Sequence, residues 1–337
     1  MATYAPPPTN NSAGRFLYWL NGQTSGNLEK LDTWYNTLVP IVAVSGGPSA
    51  LAVAPNQLEA YVVQASSSSV AKIDLLTAAV LATVSTSSIP APSIAVHPSG
   101  AYVYVPSGGY LLVIDTATFT ATSIAVGFSA ESVVVHPNGT TAYVSSQTSE
   151  SISVIDLANN TVATTIAISG AVGLALDQLG TYLYAANVLT AVNVIDTATN
   201  TVVETISVSI SAPSFVTSTP SGAYLFVSSR NYPNISVIST SSWSEIAVIT
   251  TTTWTYGLVT NPDGSYIYCT NTGDIISVQE LSIVGSFQSG LYNTALAFPG
   301  VANGGVGSQI SLAGAQVSGG TLSGVIAGLV ALGLFSS

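Results

Sequence analysis

The sequence predicts an all-β fold: a seven-bladed β-propeller with four-stranded blades, followed by a C-terminal apolar helix. Three recurring elements predict it. An aromatic-led alternating run occurs at Phe16 (FLYWLN), Tyr61 (YVVQAS), Tyr102 (YVYVPS), Tyr143 (YVSSQT), Tyr182 (YLYAAN), Tyr224 (YLFVSS) and Tyr266 (YIYCTN), at spacings of 45, 41, 41, 39, 42 and 42. A second run ends at Asp32, Asp74, Asp115, Asp156 and Asp196; the sixth copy has Ser239 there, and the seventh reads ISVQE. A third run, as in PSALAVAP, PSIAVHPSG and ESVVVHPNG, precedes every aromatic run after the first and recurs once more as NTALAFPG at Asn293. Val, Ile, Tyr and Thr fill these runs and suit a pleated, half-buried surface. Gly, Pro, Asn, Asp and Ser separate them and suit turns. Four short strands at a period of 40–45 residues are a propeller signature.

Taken in order, the chain opens with an extended arm over residues 1–15, MATYAPPPTNNSAGR. The arm has neither the basic nor the apolar stretch of a signal peptide. Residues 16–299 form the propeller. Each unit is read as an inner strand A (PSxAVxP), then B (YVYV), C (VIDTAT) and D (TxTSIAV). The first unit begins at B, and the last A strand, Asn293–Phe298, has no B, C or D of its own. That strand is expected to pair with the strand at Phe16 and close the ring, which removes two exposed edges. Residues 300–320 are a Gly/Ser/Ala-rich linker, and Thr321–Phe335 is an apolar anchor helix. As a helix the 15 residues of TLSGVIAGLVALGLF would span about 22 Å, short of a bilayer core of about 30 Å. Gly320, Gly324 and Gly328 stand four apart, with Leu322, Val325, Ile326, Leu329, Leu332 and Phe335 around them. Small residues at that spacing let helices approach closely in a membrane or a tight bundle. The expected partners of this helix are a membrane or the apolar helices of a capsid or envelope protein.

The runs YVYV…VIDTATFTAT and VNVIDTATNTVVETISV resemble the YVTN-type seven-bladed β-propeller repeats of archaeal and bacterial surface-layer and surface-adhesion proteins. The resemblance spans most of the chain, residues 16–299. It implies a blade architecture and display at a surface.

Composition narrows the function. Of 337 residues only Arg15, Lys30, Lys72 and Arg230 are basic, against 15 acids, for a formal net charge of −11. No basic stripe is present to neutralise phosphates, which excludes nucleic acid as a partner. Few bases would avoid self-repulsion in an acidic medium, where carboxylates protonate; a neutral Ser/Thr-rich extracellular surface is the other reading. The single cysteine, Cys269, lies in an apolar run and forms no intrachain disulfide. Four sequons mark candidate glycosylation at Asn10, Asn138, Asn159 and Asn234.

Chemistry-bearing motifs are sparse. His97 and His136 occupy equivalent His-Pro positions in adjacent repeats, which points to a shared structural role. The repeated Asp sits before Thr-Ala-Thr or a similar turn, where aspartate accepts bonds from the backbone two residues on. The A strands offer mostly Ala, Val, Leu, Ser and Thr. The expectation is therefore no catalytic residue, no metal, no cofactor and no enzymatic activity. Trp34, Tyr35, Tyr232, Trp243 and Trp254 are read either as blade packing or as carbohydrate-stacking loop residues.

The function expected from the sequence is a surface-exposed recognition propeller anchored by its C-terminal helix. The carrier would be a virion, attaching to host glycans or proteins through the loops. The alternative carrier is a cell surface or surface layer. A propeller enzyme such as a lactonase is the third reading, and an inward-facing acid and base would favour it.

Overall fold

Alternation of apolar and small polar residues over five to nine positions yields strands, and turn residues cut them to blade length. The computed structural model describes residues 16–21, 25–32, 37–255, 257–269, 272–286 and 296–297. They form seven four-stranded antiparallel sheets, the arrangement of a seven-bladed propeller. The second to seventh blades run A to D in chain order. Their A strands are Pro48–Val53, Ala95–Val96, Ala130–Val135, Ala171–Leu176, Pro213–Ser218 and Leu258–Thr260. Their B strands are Glu59–Gln64, Tyr102–Ser107, Thr141–Ser146, Tyr182–Asn187, Tyr224–Ser229 and Tyr266–Cys269. Ser69–Asp74, Tyr110–Asp115, Ser151–Asp156, Ala191–Asp196, Asn234–Ser239 and Asp274–Ser277 are the C strands. The rim, or D, strands include Ala79–Ser85, Ala121–Ala125, Thr161–Ala167, Thr201–Ser207 and Ser244–Thr250.

The first blade closes as its sequence predicts. Phe16–Asn21, Ser25–Asp32 and Thr37–Ser45 are its B, C and D strands, and Leu296–Ala297 completes it as A. The register pairs Tyr18 with Ala297 and Trp19 with Leu296. The arm, the linker and the Thr321–Phe335 segment with its glycines lie outside the described residues. Among the described residues there is no α-helix, only a short 3-10 turn at Ala65–Ser67, and no helix long and apolar enough to cross a membrane.

Burial grades from the axis to the rim. Every residue of Ala171–Leu176 is buried, whereas Thr161–Ala167 is exposed except at Ile166. The apolar clusters lie between blades. One joins Tyr104, Leu111 and Ile124 of the third blade to Val133, Val135 and Ala142 of the fourth. The largest knobs are Tyr61, Tyr104, Tyr143, Tyr184 and Phe226, all fully buried at the third position of their B strands. This refines the repeat: Tyr102, Tyr182 and Tyr224 stand at the first position of their strands, so Tyr104, not Tyr102, matches Tyr61 and Tyr143. Truncating such a buried aromatic costs about 3–5 kcal/mol. Burial also pushes the Tyr143 phenol up to about 12, with the Asp196 charge adding to the effect.

The serines have a second use. Ser93 Oγ accepts from the Val133 N–H at 2.8 Å, and Ser132 Oγ accepts from the Leu174 N–H at 3.4 Å. Ser218 Oγ donates to the Leu176 carbonyl at 2.8 Å, and Ser153 Oγ to Val126 O at 3.0 Å. These buried hydroxyls stitch each blade to its neighbour. Their Ser-rich composition is therefore partly an interior feature, where each bond contributes about 1 kcal/mol.

Candidate functional site

Strand direction sorts the connections onto two faces. The A–B and C–D turns share one, here the turn face. The B–C and D–A connections share the other, the cavity face.

The turn face carries one bond set repeated in the second to fifth blades. Asp115 Oδ1 accepts from the N–H groups of Ala117 (2.9 Å) and Thr118 (2.8 Å). Asp74 serves Leu76 and Thr77, Asp156 serves Ala158 and Asn159, and Asp196 serves Ala198 and Thr199 in the same way. Backbone donors hold the Asp74 and Asp115 carboxyls below the ordinary carboxylate range; for Asp156 the Asn159 side-chain donor contributes most. The following threonine ties the C–D turn to the A–B turn: Thr116, Thr197 and Thr240 donate to the carbonyls of Gly100, Gly180 and Gly222. The histidines bridge blades. His136 Nδ1 accepts from the Asn138 N–H, which leaves the proton on Nε2 to donate to the Gly180 carbonyl at 2.9 Å. His97 reaches the Gly139 carbonyl at 2.8 Å. Gly180 must stay bare: its φ is +78°, and a Cβ there would sit 2.4 Å from His136 Nε2. Asp74, Asp115, Asp156 and Asp196 are held in their own turns rather than converging on the channel, and both histidines are structural, as the sequence indicates; the side chain of Asp32 lies outside the described residues.

At the cavity face the A–B ladders slip, as the C–D ladders do beside the turn face. The A strands of the second, fourth, fifth and sixth blades each carry one extra residue near their start. The register slips between Pro48 and Ala50, Ala130 and Ser132, Ala171 and Leu174, and Pro213 and Phe215. A bulge re-aims side chains that strict alternation would assign elsewhere. Residues at the slips of the fourth, fifth and sixth blades, with Arg230 after the sixth B strand, converge on a cavity open to solvent. It is lined by Pro92, Glu131, Ser132, Val172, Gly173, Ser214, Phe215 and Arg230 and encloses about 300 Å³ including its mouth. Three consecutive inner strands thus contribute to it, with Pro92 from the connection before the third blade's A strand. Gly173 makes the close approach possible. A Cβ there would lie 2.3 Å from the Ser214 carbonyl oxygen and 2.9 Å from the Phe215 Cα.

The Arg230 guanidinium lies 5.9 Å from the Phe215 ring centre, a cation–π arrangement. Its buried Nε has no hydrogen-bond acceptor among the described residues. Ser49 Oγ, Ser228 Oγ and Thr255 Oγ1 are likewise buried without a partner there, and all three lie at the cavity-face ends of their strands or connections. Exposed aromatics gather on this face as well: Phe128 (79 %), Tyr232 (48 %), Tyr110 (46 %) and Trp254 (46 %). Trp243, in contrast, is blade packing, edge-on to Tyr182 at 5.5 Å. Trp34 and Tyr35 lie outside the described residues. Of the sequons, Asn138 and Asn159 are exposed on the turn face, Asn234 is half-buried at the start of a C strand, and Asn10 lies outside the described residues.

The sequence reading missed Glu131 and Arg230. Glu131 was visible as the first residue of ESVVV, but only the bulge aims it inward. Arg230 comes from a loop one strand away from the run it joins. Among the described residues no group of three or more His, Cys, Asp and Glu side chains is placed to hold a metal ion.

No family model matches the chain, and no curated protein matches it in sequence. Solved structures share the fold. Hydrazine synthase from Kuenenia stuttgartiensis aligns at a TM-score of 0.62 and 23 % identity, over 69 % of this chain and 77 % of that one. A functionally unknown protein from Desulfotomaculum acetoxidans DSM 771 aligns at 0.68 and 12 % identity, over 86 % of this chain and 98 % of that one. These likenesses show a propeller-like fold. They also correct one expectation. The absence of catalytic motifs was read as excluding an enzyme, yet an enzyme is among the structures sharing this fold. A carboxylate, Glu131 of an A strand, and a guanidinium, Arg230 after a B strand, also line the cavity.

Proposed function

We propose that the chain is a surface-displayed recognition propeller that attaches its carrier, a virion or a cell envelope, through the cavity face. The observation that carries this reading is the exposure of Phe128, Tyr110, Tyr232 and Trp254 on that face. Aromatic residues are enriched in recognition surfaces because they bring large contact area at low entropy cost. The turn face, tied down by its own repeated bonds, acts as scaffold. Kinship with YVTN-type surface proteins belongs to the same reading, as do anchoring by Thr321–Phe335 and glycans on the turn face at Asn138 and Asn159. The test is competition. Purified full-length chain, added in excess, should reduce attachment of the intact carrier to its target surface. Undiminished attachment at saturating chain overturns the reading. Detection of the chain in purified particles or in cell envelopes assigns the carrier.

A second reading has its own observation. Glu131 and Arg230 face one cavity, the arrangement a propeller enzyme of the lactonase type needs for acid–base work beside an anion-stabilising cation. Turnover of a lactone panel that is lost in Glu131→Gln supports it, and no turnover across the panel removes it.

A further inference from the structure

We propose that the channel-mouth cavity binds a small hydroxy- or amino-carboxylate, with Arg230 holding the carboxylate and Glu131 accepting a bond from the neighbouring hydroxyl or ammonium. The site does not depend on the attachment reading.

Charge is so scarce in this chain that each basic residue is informative. Lys72 is committed to an ion pair with Glu59 at 2.9 Å. Arg230 has no ion pair among the described residues, although Glu131 lines the same cavity. Leaving a buried donor unpaired is costly, and a bound acceptor would remove that cost. A carboxylate meets an arginine side-on through Nε and one Nη, so the unpartnered Nε is one half of a two-pronged fork. Phe215 beneath the guanidinium holds that fork in place, and Gly173 lets Phe215 sit there. Preorganisation of this kind lowers the ordering cost of binding.

Glu131 sets the ligand class. A carboxylate on the cavity wall repels dianions such as sulfate, so the site discriminates by like charge as well as by attraction. It favours a ligand whose carboxylate is adjacent to a hydrogen-bond donor. Ser132 and Ser214 also line the wall, and the cavity is small, which limits the occupant to a few heavy atoms.

The test is calorimetric titration of the full chain near neutral pH with lactate, acetate and sulfate. Lactate should bind at least tenfold more tightly than acetate, and sulfate should give no heat. Arg230→Gln should weaken lactate at least tenfold while the thermal midpoint stays near that of the parent. If that variant fails to fold, Arg230→Lys, which keeps the charge and loses the fork, should weaken lactate by a similar factor. Glu131→Gln should bring lactate down to the acetate level and admit sulfate. Three results overturn the proposal: no binding of lactate or acetate, equal binding of the two by the parent chain, or lactate affinity unchanged when Arg230 is replaced.

Discussion

The two faces of this propeller are made from the same seven sheets and differ in how they satisfy their polar groups. On the turn face nearly every donor and acceptor is used locally. Aspartates cap their own turns, threonines bind the adjacent turn, and histidines reach the next blade. On the cavity face, four buried polar atoms lack partners among the described residues and aromatics stand in solvent; bulges occur at both faces, in A strands here and in the C–D ladders beside the turns. One face spends its hydrogen-bonding capacity on the fold, and the other holds capacity in reserve. Binding surfaces arise where a rigid scaffold presents connections that are not needed to hold it together.

The largest way to break this contrast is Gly173→Ala. Its Cβ would meet backbone rather than a flexible side chain, so the fifth and sixth blades must separate. A loss of about 2–4 kcal/mol is expected in urea unfolding. Next is His136→Ala, which removes the donor to Gly180 and the acceptor for Asn138 and should cost about 1–2 kcal/mol. Arg230→Gln should change stability by less than about 1 kcal/mol, because no ion pair is broken. If the order of His136 and Arg230 were reversed, the scaffold role would belong to the cavity face.

The smallest effect concerns pH. Folding lowers the Asp74, Asp115 and Asp156 carboxyls. Their contribution is therefore full above the unfolded carboxylate value of about 4 and is lost as pH falls through the lower folded values. Asp115→Asn keeps the Oδ1 acceptor and removes the charge. Its urea midpoint should fall slightly below that of the parent at neutral pH and converge with it in acid, once the parent's carboxyl is protonated in the folded chain as well. A gap that widens in acid would contradict the assignment.

Legibility in the sequence follows the same division. The seven blades and the ring closure were readable because period-2 alternation and turn residues recur in every copy. The Asp-Thr turns and the histidine pair were readable because their bonds are local or repeat with the blade. The cavity was not. Its lining depends on one extra residue in an A strand, as at Glu131, and on a loop arginine meeting Phe215 of a neighbouring strand. Alternation carries no mark of either event. Nor did composition show that Ser93, Ser132 and Ser218 are interior stitches rather than surface polarity.

The division of labour is tested most directly by blocking one face at a time. Burial pushes the Cys269 thiol well up, so an introduced surface cysteine is the reactive one. Ala158→Cys on the turn face and Asn231→Cys beside the cavity are each coupled to a polyethylene glycol maleimide, and the full chain is used to compete for carrier attachment. Competition should persist with the polymer at residue 158 and vanish with it at residue 231. The opposite result would assign recognition to the turn face and contradict the account.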